Sequence, residues 1–443
     1  MREPAPGAGW ATLERETLRK VTLRLIPFLL LLYIVAWLDR VNVGFAALQM
    51  NEGLGFNAAV YGFGAGVFFA GYALFEVPSN LVLARVGARR WIARIMITWG
   101  VISVSMMFVR SPTSFYLLRF LLGVAEAGFF PGIIYYLGNW YPAEQRARAV
   151  SWFMVAIPLS IVIGGPVAGL LLGLDGLLGL NGWQWLFLLE GAPAVILGFV
   201  VLFYLTDSPA QARWLKPEEQ RWLDDRIKSE QAHAKERHGV GLRQALLHPT
   251  VWQLAFIMFT CQSGSYGLSL WAPQIVKGLS GLSDLLVGLV TAIPYIGAAI
   301  GMVLIGMSSD RSGERFLHIA VPCLIAAAGF MASAWIGSPI PGMIALTVAA
   351  VGDLGSRGPF WALPGRFLAG SASAGGIALI NTVGSLGGFV GPYAVGFVKH
   401  KTGGFTGGLL LLAALLLAGA IVTLRLRNAP ALTLQGAAGD RSA

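Results

Sequence analysis

Residues 23–50 read LRLIPFLLLLYIVAWLDRVNVGFAALQM. About 20 apolar residues suffice to cross the hydrocarbon core of a bilayer, and this stretch is longer, with Asp39 and Arg40 set inside it. Residues 115–140, FYLLRFLLGVAEAGFFPGIIYYLGNW, repeat the pattern around Arg119 and Glu126. Charge at bilayer depth is costly, so such residues face a water-filled cavity or a partner charge. The two stretches predict a membrane protein with several spans, whose four intramembrane charges mark its working centre.

The composition agrees. Of 443 residues, 56% are hydrophobic and 12% charged, about half the charged share of a soluble domain, and the mean hydropathy is +0.68. The 57 glycines suit helices that pack closely in lipid. The net charge of +10 would fit nucleic acid, but the basic residues fall in alternate loops, which marks topology instead. Cys261 and Cys323 lie in apolar stretches with no Cys/His spacing around them, so the sequence supports neither a disulfide framework nor a metal site. Its glycine strings follow no strand and cradle no nucleotide. No cofactor is expected. The polar N-terminus runs into a full-length span and reads as retained, not as a cleaved signal.

Twelve spans are predicted. Six precede a polar stretch: 21–47, 59–83, 91–109, 115–140, 147–172 and 183–206. Six follow it: 251–276, 284–308, 316–336, 342–362, 371–399 and 405–426. The fold class is all-α. A cytoplasmic N-terminal segment (1–20), a six-helix bundle (21–206), a linker (207–248), a second six-helix bundle (249–427) and a tail (428–443) follow in order. Within the linker, Trp214, Leu215, Trp222, Leu223 and Ile227 recur at helical spacing among charges, the pattern of an amphipathic surface helix. Arg85, Arg89, Arg90, Arg94, Arg146, Arg148, Arg311, Arg315 and the linker fall on one side. Arg110, Lys277, Lys399 and Lys401 fall on the other. The asymmetry places both termini in the cytoplasm.

One loop recurs. Residues 80–94, NLVLARVGARRWIAR, follow the second span, and residues 306–320, GMSSDRSGERFLHIA, follow the eighth. The second copy fits G-x-x-x-D-R-x-G-x-R through Gly306, Asp310, Arg311, Gly313 and Arg315. The first keeps Arg85, Gly87, Arg89 and Arg90 but has Ala84 in place of the acid. Glycine permits a tight turn there, and the arginines suit helix C-termini and acidic partners.

Twelve spans, a polar linker and this repeated loop resemble the major facilitator superfamily, in which two six-helix halves rock about a midplane site. YIVAWLDRVNVGFAALQMN, GYALFEVPSNLVLARVGARRWIARIM, RFLLGVAEAGFFPGIIYYLGNWYPAEQRARA and GGIALINTVGSLGGFVGPYAVG resemble its anion:cation symporter family. LDRVNVGFAALQMN and GWQWLFLLEG look most like the tartrate-transporter branch, beside phthalate and hydroxyphenylacetate permeases. The resemblance implies proton coupling at Asp39 and Glu126, and anion binding or charge relay at Arg40 and Arg119. It also implies substrate contacts from Tyr72, Trp361 and Asn381, to which Tyr266 and Asn42 are added as candidates. One departure stands out: the tenth span, AAVGDLGSRGPFWALP, carries Asp353 and Arg357 where small or apolar residues are expected.

The residues themselves bear this chemistry. An Arg guanidinium offers a planar fork of donors to a carboxylate. Asp39 and Arg40 point about 100° apart on a helix, and Arg119 and Glu126 share a face about 10 Å apart, so neither pair need be a simple ion pair. The plainer alternative is that the arginines only neutralise the acids. Asn42 is placed to orient Arg40 or to pack. Glu76 reads as a partner of the loop motif and Glu190 as structural. Asp353 and Arg357, at i,i+4 spacing, read as a self-satisfying pair or as a selectivity element.

The expected function is secondary transport by alternating access: symport of a small organic anion with H+, best a hydroxylated dicarboxylate such as tartrate. The chain is read as a monomer in the cell membrane and not as an enzyme, since no catalytic constellation converges. Its partners are the anion, the proton and lipid, with no nucleic acid or nucleotide. An aromatic or sugar acid, an anion exchanger, and a membrane sensor on a transporter scaffold stand as alternatives.

Overall fold

The computed structural model describes residues 8–236, 248–364 and 370–428. Among them every regular element is helical. The first bundle comprises α1 (Ala8–Gly53), α2 (Ala58–Val86), α3 (Ala88–Ser105), α4 (Pro112–Glu126), α5 (Phe129–Gly138), α6 (Ala143–Met154), α7 (Ala156–Leu172) and α8 (Gly182–Tyr204). α9 (Pro217–Glu236) is the linker helix. The second bundle comprises α10 (Pro249–Ser280), α11 (Asp284–Ser312), α12 (Leu317–Trp335), α13 (Pro339–Gly355), α14 (Arg357–Trp361), α15 (Gly370–Thr402) and α16 (Thr406–Asn428).

Local chemistry sets the ends. Asn57 caps α2 by accepting from the Val60 amide at 2.9 Å. Ser111 and Ser114 form a reciprocal box at the start of α4, with Pro112 in the first turn, where its missing N–H costs nothing. Asn181 and Gln184 do the same for α8.

Three predicted spans are each two helices. The fourth breaks between Glu126 and Phe129, where Gly128 takes φ +87°. The fifth breaks at Val155 and the tenth at Ser356. A bilayer tolerates such breaks only where protein or water satisfies the freed backbone; Gly128 and Ser356 are buried inside the bundle, whereas Val155 is 47% exposed.

Eleven of the spans are apolar and long enough to cross a membrane on composition alone. The seventh, α10, is a 32-residue helix that carries Gln262, Ser263, Ser265, Tyr266, Ser269 and Gln274. It packs against α1, α15 and α16. A helix enclosed by protein is not selected for compatibility with lipid, so its lower hydropathy follows from its central place. On the outer surface the order reverses, and Leu23, Leu74, Phe108, Ile196, Phe203 and Ile340 are exposed, as a lipid-facing belt requires.

The halves meet along three helix pairs: α1 with α10, α2 with α15, and α7 with α11. At the end of the bundle away from α9 the contact is backbone on backbone. A Cβ on Gly62 would lie 2.8 Å from the Pro392 carbonyl oxygen and 3.0 Å from the Gly396 Cα. A Cβ on Gly165 would fall onto the Gly288 carbonyl oxygen, and one on Gly288 onto that of Gly165. Tyr61 donates to the Leu270 carbonyl at 2.6 Å, and Gln49 to Asp284 at 2.9 Å.

At the opposite end α9 is fastened to the first half. The indoles of Trp140 and Trp214 stack at 5.5 Å, Arg24 lies 5.0 Å over Trp214, and Lys20 bonds the buried Glu219 at 2.6 Å. The two motif loops also differ. In the first, the absent acid is replaced from afar: Asp207 accepts from the Arg89 amide at 2.8 Å and lies against Gly87, whose φ is +96°. In the second, Asp310 pairs with Arg315 at 2.6 Å and Gly313 makes the turn at φ +67°. Gly306 lies inside α11, so it serves the helix and not the turn. Arg85, Arg90 and Arg311 are exposed.

Candidate functional site

Helix geometry divides the intramembrane charges. Asp39 and Asn42, three residues apart on α1, share one face. Asp39 is fully buried and accepts from the Trp99 indole at 2.7 Å, from the Ser103 hydroxyl and from Asn42 at 3.2 Å. Trp99 and Ser103 stand one turn apart on α3, which presents both donors together. Asn42 therefore orients Asp39 and not Arg40, against the sequence expectation: residues 40 and 42 lie about 200° apart on a helix. Glu190 of α8 packs against this same group.

Arg40 points the other way, into the centre. One amino group pairs with Glu126, and the other donates to the Tyr266 hydroxyl of the second half at 3.1 Å. Rings surround the guanidinium, with centroids at 5.2 Å for Trp37, 5.3 Å for Tyr72 and 5.6 Å for Phe68. Glu126 closes α4 directly before the break, and its second carboxylate oxygen has no hydrogen-bond partner.

Arg119 is fully buried and donates to the carbonyls of Gly64 at 3.3 Å and Ala65 at 3.2 Å, with one amino nitrogen unpartnered. It fastens α4 to α2. It also lies 4.9 Å over Phe68, the ring that Arg40 approaches, which brings the two cations to one aromatic side chain.

On the second half, Tyr266 reaches Arg40, and Asn381 of α15 donates to the Glu76 carboxylate of α2 at 2.5 Å. Trp361 stands apart from these, 39% exposed at the end of α14. The tenth-span charges form a separate cluster. Arg357 donates to Ser265 at 2.7 Å, Ser265 donates to Asp353, and the direct Arg357–Asp353 approach is 3.7 Å. Ser265 thus bridges a pair too distant for its own hydrogen bond.

Sequence reasoning missed Trp99, Ser103 and Ser265, whose roles rest on partners 60 or more positions away. It also sent Glu76 toward the loop motif. The pairing with Asn381, 305 positions distant, leaves no local signal. The arrangement as a whole supplies a buried cation shared by a carboxylate from one half and a hydroxyl from the other. An anion entering between the halves would compete with Glu126 for Arg40.

The sequence profile of the Major Facilitator Superfamily matches residues 29–392. A provisionally named tartrate transporter of Agrobacterium vitis is 55% identical, over 94% of this chain and 96% of the relative. A quinolone resistance transporter of Acinetobacter baumannii is 46% identical, over 93% and 94%. Among solved structures, a bacterial homologue of the human lysosomal transporter Spinster, inward-facing and occupied, superposes with a TM-score of 0.75 at 18% identity, covering 90% of this chain and 95% of that one.

Proposed function

The chain belongs to the major facilitator superfamily, and on that premise we propose that it carries a small organic anion together with protons by alternating access. The observation that supports this reading is the position of Arg40, held by Glu126 of one half and Tyr266 of the other. An anion that takes the guanidinium leaves Glu126 beside a second negative charge in a site with little water. A proton on Glu126 removes that repulsion, so anion and proton favour each other's binding. When the halves part, the Arg40–Tyr266 bond across them breaks, and re-forming it on the other side returns the empty carrier.

Tartrate is the leading substrate, supported by the name of the Agrobacterium relative and by the planar fork that Arg40 offers a carboxylate. An aromatic acid is the second reading. It is favoured by the rings of Trp37, Phe68 and Tyr72 around the cation. In both readings the carrier is a monomer of the cell membrane with cytoplasmic termini. The test is uptake of tartrate, malate, galactonate, hydroxyphenylacetate and phthalate into proteoliposomes. Accumulation under an imposed pH gradient, abolished by a protonophore, supports symport. Uptake only against preloaded anion would establish an exchanger instead.

A further inference from the structure

Among the buried carboxylates that the mechanism above does not use, Glu76 is one whose side chain bonds the opposite half. Glu76 lies in the interior of α2, 5% exposed, one turn beyond Tyr72 and so on the same face. One of its oxygens accepts from the Asn381 amide of the opposite half at 2.5 Å, and the other has no hydrogen-bond partner. The groups that face it are Tyr72 on its own helix, Arg40 on α1, and the neutral Asn381 and Thr382 on α15. Glu126 of α4 lies beyond Arg40, which it holds.

A single amide donor therefore has two suitors. In this structure its acceptor is Glu76. The family resemblance gives Asn381 to the substrate, so in the transport reading proposed above, on which this inference rests, the carried anion is its second acceptor. An ionised Glu76 and a bound carboxylate cannot share that corner at low cost, because like charges in a poorly hydrated site repel strongly. We propose that Glu76 is a further proton-binding carboxylate of the carrier, occupying Asn381 in the empty protein and surrendering it as a neutral acid when an anion binds. The proton arrives as hydronium from the aqueous phase: one O–H bond forms on a Glu76 oxygen as one breaks in hydronium, leaving water, and the hydrogen bond to Asn381 is given up. This contact joins the two halves, so its release also frees α2 from α15 at the level of the site.

The experiment uses the purified full chain and tartrate, or hydroxyphenylacetate should tartrate not bind. Calorimetry in two buffers of different ionisation enthalpy gives the protons taken up per bound anion. Glu76→Gln keeps the size and the hydrogen-bonding capacity of the side chain, and the expected result is a loss of about one proton per anion relative to wild type, the linkage stoichiometry of one site. Uptake equal to that of wild type would overturn the role of Glu76 while leaving symport intact. Anion binding to wild type without any proton uptake would overturn the coupled reading and this role with it. A second measurement needs no variant. Dicyclohexylcarbodiimide modifies protonated carboxyls in apolar surroundings, and peptide mass spectrometry should find Glu76 labelled faster with the anion present. Unchanged or slower labelling at Glu76 would overturn the proposal.

Discussion

Asp39 and Arg40, consecutive in the chain, serve different faces of α1. The carboxylate is held by Trp99 and Ser103 of α3 inside one half, while the guanidinium reaches Glu126 and, across the halves, Tyr266. Two neighbouring charges thus have their partners in different places: one wholly within a bundle, the other also across to the second bundle.

Proton coupling at both acids predicts the same loss at each. Asp39→Asn and Glu126→Gln should each abolish pH-driven accumulation in proteoliposomes while leaving exchange measurable. Ser103→Ala, which removes one donor to buried Asp39, should lower thermal stability by about 1–3 kcal/mol. An acid whose neutral variant still concentrates the anion with the wild-type pH profile has no part in coupling.

Arg40→Lys keeps the charge and loses the planar fork that spans two partners. Anion affinity should fall by at least about tenfold, on the order of 1.4 kcal/mol, as read by calorimetry on the purified variant. Tyr266→Phe removes a single neutral partner and should cost less. An unaltered binding isotherm for the lysine variant would exclude the forked contact.

The tenth-span charges should behave as one unit with Ser265. Removing a single member of a buried pair costs about 3–5 kcal/mol, because the other charge is stranded. Asp353→Asn and Arg357→Gln should each lower the melting temperature, and the double change should recover part of the loss. If the single variants keep their stability and reorder the substrate panel instead, the cluster belongs to selectivity.

Docking of α9 should depend on pH. Burial pushes the Glu219 carboxyl up, but the hydrogen bonds from Lys20 and from the Lys216 amide outweigh it and hold the group below its ordinary value of 4.5. A depressed carboxylate stabilises the folded form above the unfolded value and loses that contribution as pH falls through the folded one. Protection from hydrogen exchange across Pro217–Glu230, taken relative to the intrinsic rate at each pH, should therefore fall as the pH falls below about 4.5, and Glu219→Gln should remove that dependence.

Much of this was legible in the sequence, for reasons visible in single residues. The spans follow from apolar length, and the depth of Asp39, Arg40, Arg119 and Glu126 follows from where they sit in those runs. The 100° step of the helix already separates Asp39 from Arg40. What the sequence withholds is the partner on another helix. Nothing near Glu76 names Asn381, nothing near Asp353 names Ser265, and Asp207 stands in for an acid missing 123 positions earlier, at Ala84. The breaks at Gly128 and Ser356 are equally hidden, since glycine and serine are common within the unbroken helices too.

The seam at Gly165 and Gly288 works without side chains. Two surfaces of bare backbone need select no rotamer to come together, so this contact itself forfeits almost no side-chain entropy; only its neighbours, such as Gln49 with Asp284, order a side chain. The same bareness makes the seam easy to jam. One added methyl would stand as a wedge exactly where carbonyl meets α-carbon, tilting the conformational balance toward the state in which this end is open.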